Sequence, residues 1–140
     1  MIEFEEIDKK SEVHKKLTYE ILSKRVHNIS HIKNVSFNEH QTFVNNHPYR
    51  IWYLIKHKVK YIGTTYISDN NTIGINLLNY NDKILTTILN FILSSYKPLP
   101  PIESIRSENF LININPENQS FIRFLESYGA IHIQNTYKLS

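Results

Sequence analysis

Residues 50–95 read RIWYLIKHKVKYIGTTYISDNNTIGINLLNYNDKILTTILNFILSS. Segments 50–57 and 59–67 are rich in β-branched and aromatic residues, and a very short turn separates them, which is the pattern of a hairpin. Asp69-Asn70-Asn71 is a second turn, and 72–78, TIGINLL, supplies a third strand. The stretch therefore predicts an antiparallel meander. Residues 83–95, KILTTILNFILSS, change period and predict an apolar helix. Residues 109–115, NFLININ, predict one more strand. A strand, a helix and a strand over 72–115 must cross over, so those two strands are expected to run parallel.

The flanks extend this frame. Segment 2–7, IEFEEI, alternates apolar and acidic residues and predicts a strand with one wet face. Ser11 is a candidate N-cap for a helix over 11–25, in which Val13, Leu17, Ile21 and Leu22 recur at helical spacing. Residues 26–35 read as a loop. Ser36 and Glu39 form an S-x-x-E capping box, and Phe37, His40, Phe43 and Val44 share a face of the helix that follows. Pro48 ends it. Residues 97–101, KPLPP, are a rigid linker. Residues 118–128 form an amphipathic helix stopped by Gly129, and 130–139, AIHIQNTYKL, predict the last strand. The order β α α β β β α β α β gives an α/β fold: one domain over 1–140, with a mixed central sheet flanked by helices on both faces.

Composition limits the possible chemistry. The chain has 140 residues, no cysteine and three glycines. Without cysteine there is no disulfide framework, thiolate zinc site or cysteine nucleophile. The histidines show no H-x-x-x-H or H-E-x-x-H spacing, so no metal site is expected. No apolar run is long enough to span a membrane. The opening MIEFEEIDKK is acidic and mixed, unlike a signal peptide, and a cytoplasmic location is expected. The 21 Ile and 16 Asn against one Ala look like AT-rich codon pressure, so asparagine needs no functional account by its number alone. The net charge of +3 is uneven: residues 13–68 carry nine positive and two negative side chains. Such a segment suits a phosphate-bearing partner or, equally, a solvated lysine surface around a hairpin turn. A nucleic-acid partner rests on this charge alone, with no base-stacking motif beside it.

The element order resembles the GNAT N-acetyltransferase superfamily, and so do three stretches. Residues 113–140, NINPENQSFIRFLESYGAIHIQNTYKLS, are similar to the usual ending of its members: N-x-x-N, an amphipathic helix, Gly, then a strand. Residues 61–78, YIGTTYISDNNTIGINLL, are similar to its third and fourth strands. Residues 29–55 resemble small bacterial members, some found among surface-polysaccharide genes. The resemblance implies N-acyl transfer from acetyl-CoA to an amine, possibly an amino-sugar or a nucleotide-linked sugar, by a monomer or homodimer. One element departs. The family's Q/R-x-x-G-x-G/A pyrophosphate loop falls on Asp82 to Thr87, which hold no glycine. Branched side chains there hinder the approach of backbone N–H groups to phosphates. Phe121 and Leu125 stand where members often carry Ser or Ala and a proton-donating Tyr. Ala130 stands where Phe often follows the glycine. These departures imply the alternative, a catalytically inactive GNAT-fold binding domain.

Residue by residue, the resemblance implies cofactor contacts at Leu77, Leu78, Lys83, Leu85, Thr86, Thr87 and Asn118. Asn118 also reads as an ordinary helix N-cap. Asn76 belongs to the same strand edge and is placed with the catalytic positions. His31 and His40 are the candidates for proton transfer, since imidazole titrates near neutral pH. The shared face with Phe37 and Phe43 makes a core role the stronger reading for His40. His47, Tyr49 and Arg50 form a polar-aromatic cluster suited to a sugar or nucleotide.

Overall fold

The computed structural model describes residues 1–24 and 35–140. Local signals set the helix starts. Ser11 caps α1 (Glu12–Ser23), its hydroxyl accepting from the His14 amide at 3.1 Å. The capping box closes in both directions at α2 (Phe37–Asn45): the Glu39 amide donates to Ser36 Oγ at 3.1 Å, and the Ser36 amide to Glu39 Oε1 at 3.3 Å.

The strands are β1 (Ile2–Glu6), β2 (Tyr49–His57), β3 (Lys60–Ser68), β4 (Thr72–Leu77) and β5 (Leu111–Ile112). They form one mixed sheet in the order β1-β2-β3-β4-β5. The first three pairings are antiparallel, and β4 with β5 is parallel, as the crossover through α3 (Asp82–Ser95) demands. Helix α4 (Gln119–Tyr128) follows β5.

Strand alternation divides the core in two. Ile55, Ile67, Ile73, Ile75 and Leu77 face α3 and α4, where Leu85, Ile88, Leu89, Ile92, Phe121 and Phe124 meet them. On the other face Trp52 and Leu54 meet Ile21 of α1 and Val44 of α2. Each face is thus covered by one helix pair, an α/β sandwich.

Two glycines have clear reasons. A Cβ on Gly74 would enter the ring of Tyr66, which lies across it from β3 and stacks on Tyr49 at 3.9 Å between centroids. Gly129 ends α4 at φ +104°, a left-handed conformation that suits glycine.

Two expectations are corrected. The strand expected over 109–115 is only Leu111–Ile112, because it pairs with β4 at Thr72 and Ile73 and then leaves it. The last strand expected over 130–139 does not join the sheet. Those residues are exposed and carry no regular secondary structure. A strand pattern in the sequence is not enough without a neighbouring edge to complete its hydrogen bonds.

Candidate functional site

The site is built on β4. The Leu78 amide donates to Ile62 O at 3.0 Å, and Thr64 lies opposite Asn76. In an antiparallel pair the bonded positions alternate, so Asn76 and Leu78 turn their backbone groups toward β3. Ile73, Ile75 and Leu77 turn theirs toward β5. The β4–β5 ladder ends at Ile73↔Ile112. Beyond it, among the described residues, the edge carrying the N–H groups of Ile75 and Leu77 has no strand beside it. Such an edge offers donors and acceptors about 6.6–7 Å apart, the spacing of alternate strand residues. That suits an extended, amide-bearing chain.

The expected positions on this strand therefore sort by parity. Leu77 presents its backbone to this edge. Asn76 and Leu78 do not, because β3 already holds their backbone groups. Asn76 points its side chain to the α1–α2 side. Ile75, which sequence reading missed, belongs with Leu77. Its carbonyl accepts from the Tyr80 hydroxyl at 3.2 Å, and the Tyr80 ring packs 5.3 Å from that of buried Phe121. Tyr80 and Phe121 thus pack together beside this edge.

The start of α3 is occupied by its own cap. Asn81 Oδ1 accepts from the amides of Lys83 at 2.9 Å and Ile84 at 3.2 Å. The Leu85 amide donates to Asn81 O at 2.9 Å, and the Leu85 side chain is fully buried. Thr86 and Thr87 lie inside the helix, and their hydroxyls donate to Asp82 O and Lys83 O. The expectation that amides of Leu85 to Thr87 face phosphate is corrected: helix formation has committed them to the backbone ladder. The Lys83 side chain is exposed. Asn118 caps α4, accepting from the Phe121 amide at 3.3 Å, and is itself buried.

His31 lies outside the described residues. His40 is buried, with Nε2 2.7 Å from Thr18 Oγ1. The Thr18 hydroxyl donates to the carbonyls of His14 and Lys15, so His40 Nε2 carries the proton and donates to it. Burial lowers the His40 pKa from its ordinary 6.5, opposed by a hydrogen bond to the Lys15 backbone. This imidazole is a neutral tie between α1 and α2, and its role as a proton carrier for a substrate is corrected on that ground.

The cluster expected at 47–50 is divided. His47 and Tyr49 gather around buried Trp52, with ring centroids 5.2 Å from the indole in each case. Burial, then the charge of Lys9, lowers the His47 pKa. A bulge between Tyr49 and Ile51 turns Arg50 to the opposite face. There Nη1 donates to Lys97 O at 2.9 Å and the guanidinium lies 5.4 Å from the Tyr96 ring centroid. Arg50 fastens the proline-rich linker and is not convergent with His47 and Tyr49. Among the described lysines of the basic segment, Lys58 and Lys60 are exposed at the β2–β3 turn, and Lys56 lies 5.3 Å from the Tyr61 ring centroid.

Sequence reading also missed Asn71. It is fully buried at φ +66°. Its Nδ2 donates to Leu99 O at 2.9 Å and Ser107 O at 2.8 Å, and its Oδ1 accepts from the Leu99 amide at 2.8 Å. The Leu111 amide donates to Asn71 O at 2.9 Å. This one residue fastens the linker and the start of β5 to β4. The available signal was an asparagine ending a turn before a strand.

Two surface depressions lie elsewhere, one of about 310 Å³ in the loop from Pro101 to Ser107 and one of about 220 Å³ beside Lys16, Tyr19, Glu20 and Phe37. Among the described residues no group of three or more His, Cys, Asp or Glu could hold a metal ion. No helix among them is long and apolar enough to cross a membrane.

The architecture has a solved counterpart. A domain from Methanocaldococcus jannaschii DSM 2661 matches with a TM-score of 0.63, covering 92% of this chain and 87% of that one, at 16% identity. At that identity the likeness concerns the fold alone. No protein-family model and no curated protein matches the sequence.

Proposed function

We propose that the chain is a GNAT-type domain that receives the pantetheine arm of an acyl-CoA along the outer edge of β4 and transfers the acyl group to an amine. The observation that carries this reading is the departure of β5 after Ile73, which leaves the N–H groups of Ile75 and Leu77 without a strand partner among the described residues. The acyl-CoA supplies an activated thioester carbonyl. The Leu77 N–H is the residue group suited to hold that carbonyl oxygen as negative charge develops on it. The acceptor, as its neutral amine, attacks the carbonyl carbon; the C–S bond breaks, the thiolate leaves, and the proton lost from the attacking nitrogen goes to solvent or to the thiolate, giving the free thiol. An amino-sugar or nucleotide-linked sugar is the acceptor class that the sequence resemblance favours.

The two ends of the co-substrate fit unequally. The β4 edge fits the amide-bearing arm once Tyr80 moves aside. The start of α3 fits a pyrophosphate poorly, because Asn81 already uses the amides of Lys83 and Ile84. That observation favours the second reading, a GNAT-fold domain that binds without turnover. Calorimetry with acetyl-CoA and with pantetheine, followed by thiol-release assays over amines and amino-sugars, separates the readings. Binding with turnover supports the first, and binding without turnover supports the second. Absence of heat with either compound at millimolar concentration overturns the β4-edge site.

A further inference from the structure

Each junction of the α1–α2 layer is fastened by one imidazole. At the β1–α1 turn the Asp8 amide donates to His14 Nδ1 at 2.9 Å. Between the helices His40 Nε2 donates to Thr18 Oγ1 at 2.7 Å. At the α2–β2 turn the Tyr49 amide donates to His47 Nδ1 at 3.2 Å. The helices on the other face have no such fastening, because residues 82–128 contain no histidine.

The contacts of His14 and His47 require the neutral ring, since a protonated imidazole carries N–H on both nitrogens. There the added proton sets an N–H against the amide that Nδ1 now accepts. At His40 it places a charge in the buried contact between two helices. Among the described residues no carboxylate forms an ion pair with any of the three rings. The charged groups around them do not compensate. Asp8 Oδ1 accepts from the Lys10 amide at 2.9 Å, Lys15 beside His40 is paired with Glu12 at 3.6 Å, and the charge of Lys9 opposes one on His47. For both His40 and His47, burial is the main cause that lowers the pKa from 6.5. A lowered folded value means that the neutral rings stabilise the layer above 6.5, and that this contribution is lost as pH falls through the folded values.

This layer is also the weaker half of the core. Its buried apolar cluster is Ile7, Ile21, Val44, Trp52 and Leu54, against eleven residues in the cluster on the α3–α4 side. Trp52 and Thr64, which lies opposite Leu54, share its face of the sheet. Trp52 Nε1 and Thr64 Oγ1 are buried there without a hydrogen-bond partner, which costs stability on this side.

We propose that the α1–α2 layer is a proton-released cover: on mild acidification, protonation of His14, His40 and His47 frees it from the sheet, while the sheet and the α3–α4 layer stay folded. Release bares the sheet face that carries Trp52, Leu54 and Thr64. The device is independent of what the β4 edge binds.

The test is hydrogen exchange of the full chain, read residue by residue by NMR at about pH 7.5 and about pH 5.5 and corrected for the intrinsic rate at each pH. A buried donor left without its acceptor is worth about tenfold or more in an equilibrium. Protection of α1 and α2 amides is therefore expected to fall about tenfold or more on acidification, and that of α3 and α4 amides by less than about threefold. In the variant His14→Asn/His40→Gln/His47→Asn, side-chain amides replace the acceptors at Nδ1 and the donor at Nε2 without titrating. With its fold verified by circular dichroism at the higher pH, it should keep the same α1–α2 protection at both pH values. The three single variants are read alongside it, and each should diminish the pH effect even if the triple variant does not fold. Equal protection of wild-type α1 and α2 at both pH values overturns the proposal. Loss of protection in all four helices together overturns it as well, since that is global unfolding. An undiminished pH effect in the variants also overturns it, because groups other than these imidazoles then release the layer.

Discussion

Asn71 offers the sharpest test of how this fold is held. Replacing it with alanine removes three hydrogen bonds and leaves the Leu99 amide and the Leu99 and Ser107 carbonyls without their side-chain partner. At about 1 kcal/mol for each such bond the loss is roughly 3 kcal/mol. Alanine must also adopt φ +66°, which adds about 1 kcal/mol. The sum, about 4 kcal/mol, is a large part of the 5–15 kcal/mol typical of a domain. At roughly 3–4 °C per kcal/mol for a chain of this size, Tm should fall by about 12–16 °C. Urea unfolding at neutral pH, read by tryptophan fluorescence from buried Trp52, measures the change. Asn71→Gly relieves the backbone strain and should recover only about 1 kcal/mol. Asn71→Asp keeps an acceptor for the Leu99 amide but sets a carboxylate against two carbonyl oxygens, so it should be at least as damaging as alanine. A loss below about 1 kcal/mol for alanine, or a wild-type stability for aspartate, would refute the clamp.

Three further outcomes follow from other parts of the molecule. Because burial lowers the His40 pKa below 6.5, the folded state prefers the neutral ring; its contribution is fully present above 6.5 and is lost as pH falls through the folded value. The stability gap between wild type and His40→Gln should therefore narrow between about pH 7.5 and pH 5.5, and a constant gap would contradict the neutral tie. Gly74→Ala places a methyl group in the Tyr66 ring and should cost about 1–3 kcal/mol by chemical denaturation; a neutral effect would mean that Tyr66 does not lie across the strand. Tyr80→Phe removes the hydroxyl from Ile75 O and should tighten pantetheine binding by about fivefold in calorimetry, the worth of one hydrogen bond that the ligand no longer displaces. Weaker binding would show that the hydroxyl assists the ligand instead of guarding the edge.

Asparagine marks the boundary between what composition and what position can say. Its abundance reads as codon bias, and by number it predicts nothing. Yet Asn71, Asn81 and Asn118 each hold backbone groups that would otherwise lack partners. The Asn118 cap was legible because it precedes an amphipathic run. The Asn81 cap was not legible, because Asn81 and Asp82 are adjacent and equally good capping residues. Asn71 was legible only as a turn residue; its partners are 28 and 36 residues away.

The chain by itself determined whatever depends on near neighbours. Capping residues placed the starts of α1 and α2, period 3.6 marked α3 and α4, and period 2 with short turns marked the β2–β3–β4 meander. These are local balances of backbone hydrogen bonding and burial, and they survive without knowledge of the remainder of the fold. Tertiary structure alone decided where each backbone edge finds its partner. It stopped β5 after two residues, turned Arg50 across the sheet through a bulge, and turned the backbone of Leu77 but not Asn76 to the edge that β5 leaves. It also left 130–140 outside the sheet despite their alternation. A strand needs a second edge to complete its hydrogen bonds, and no periodicity within one segment can say which edge that will be.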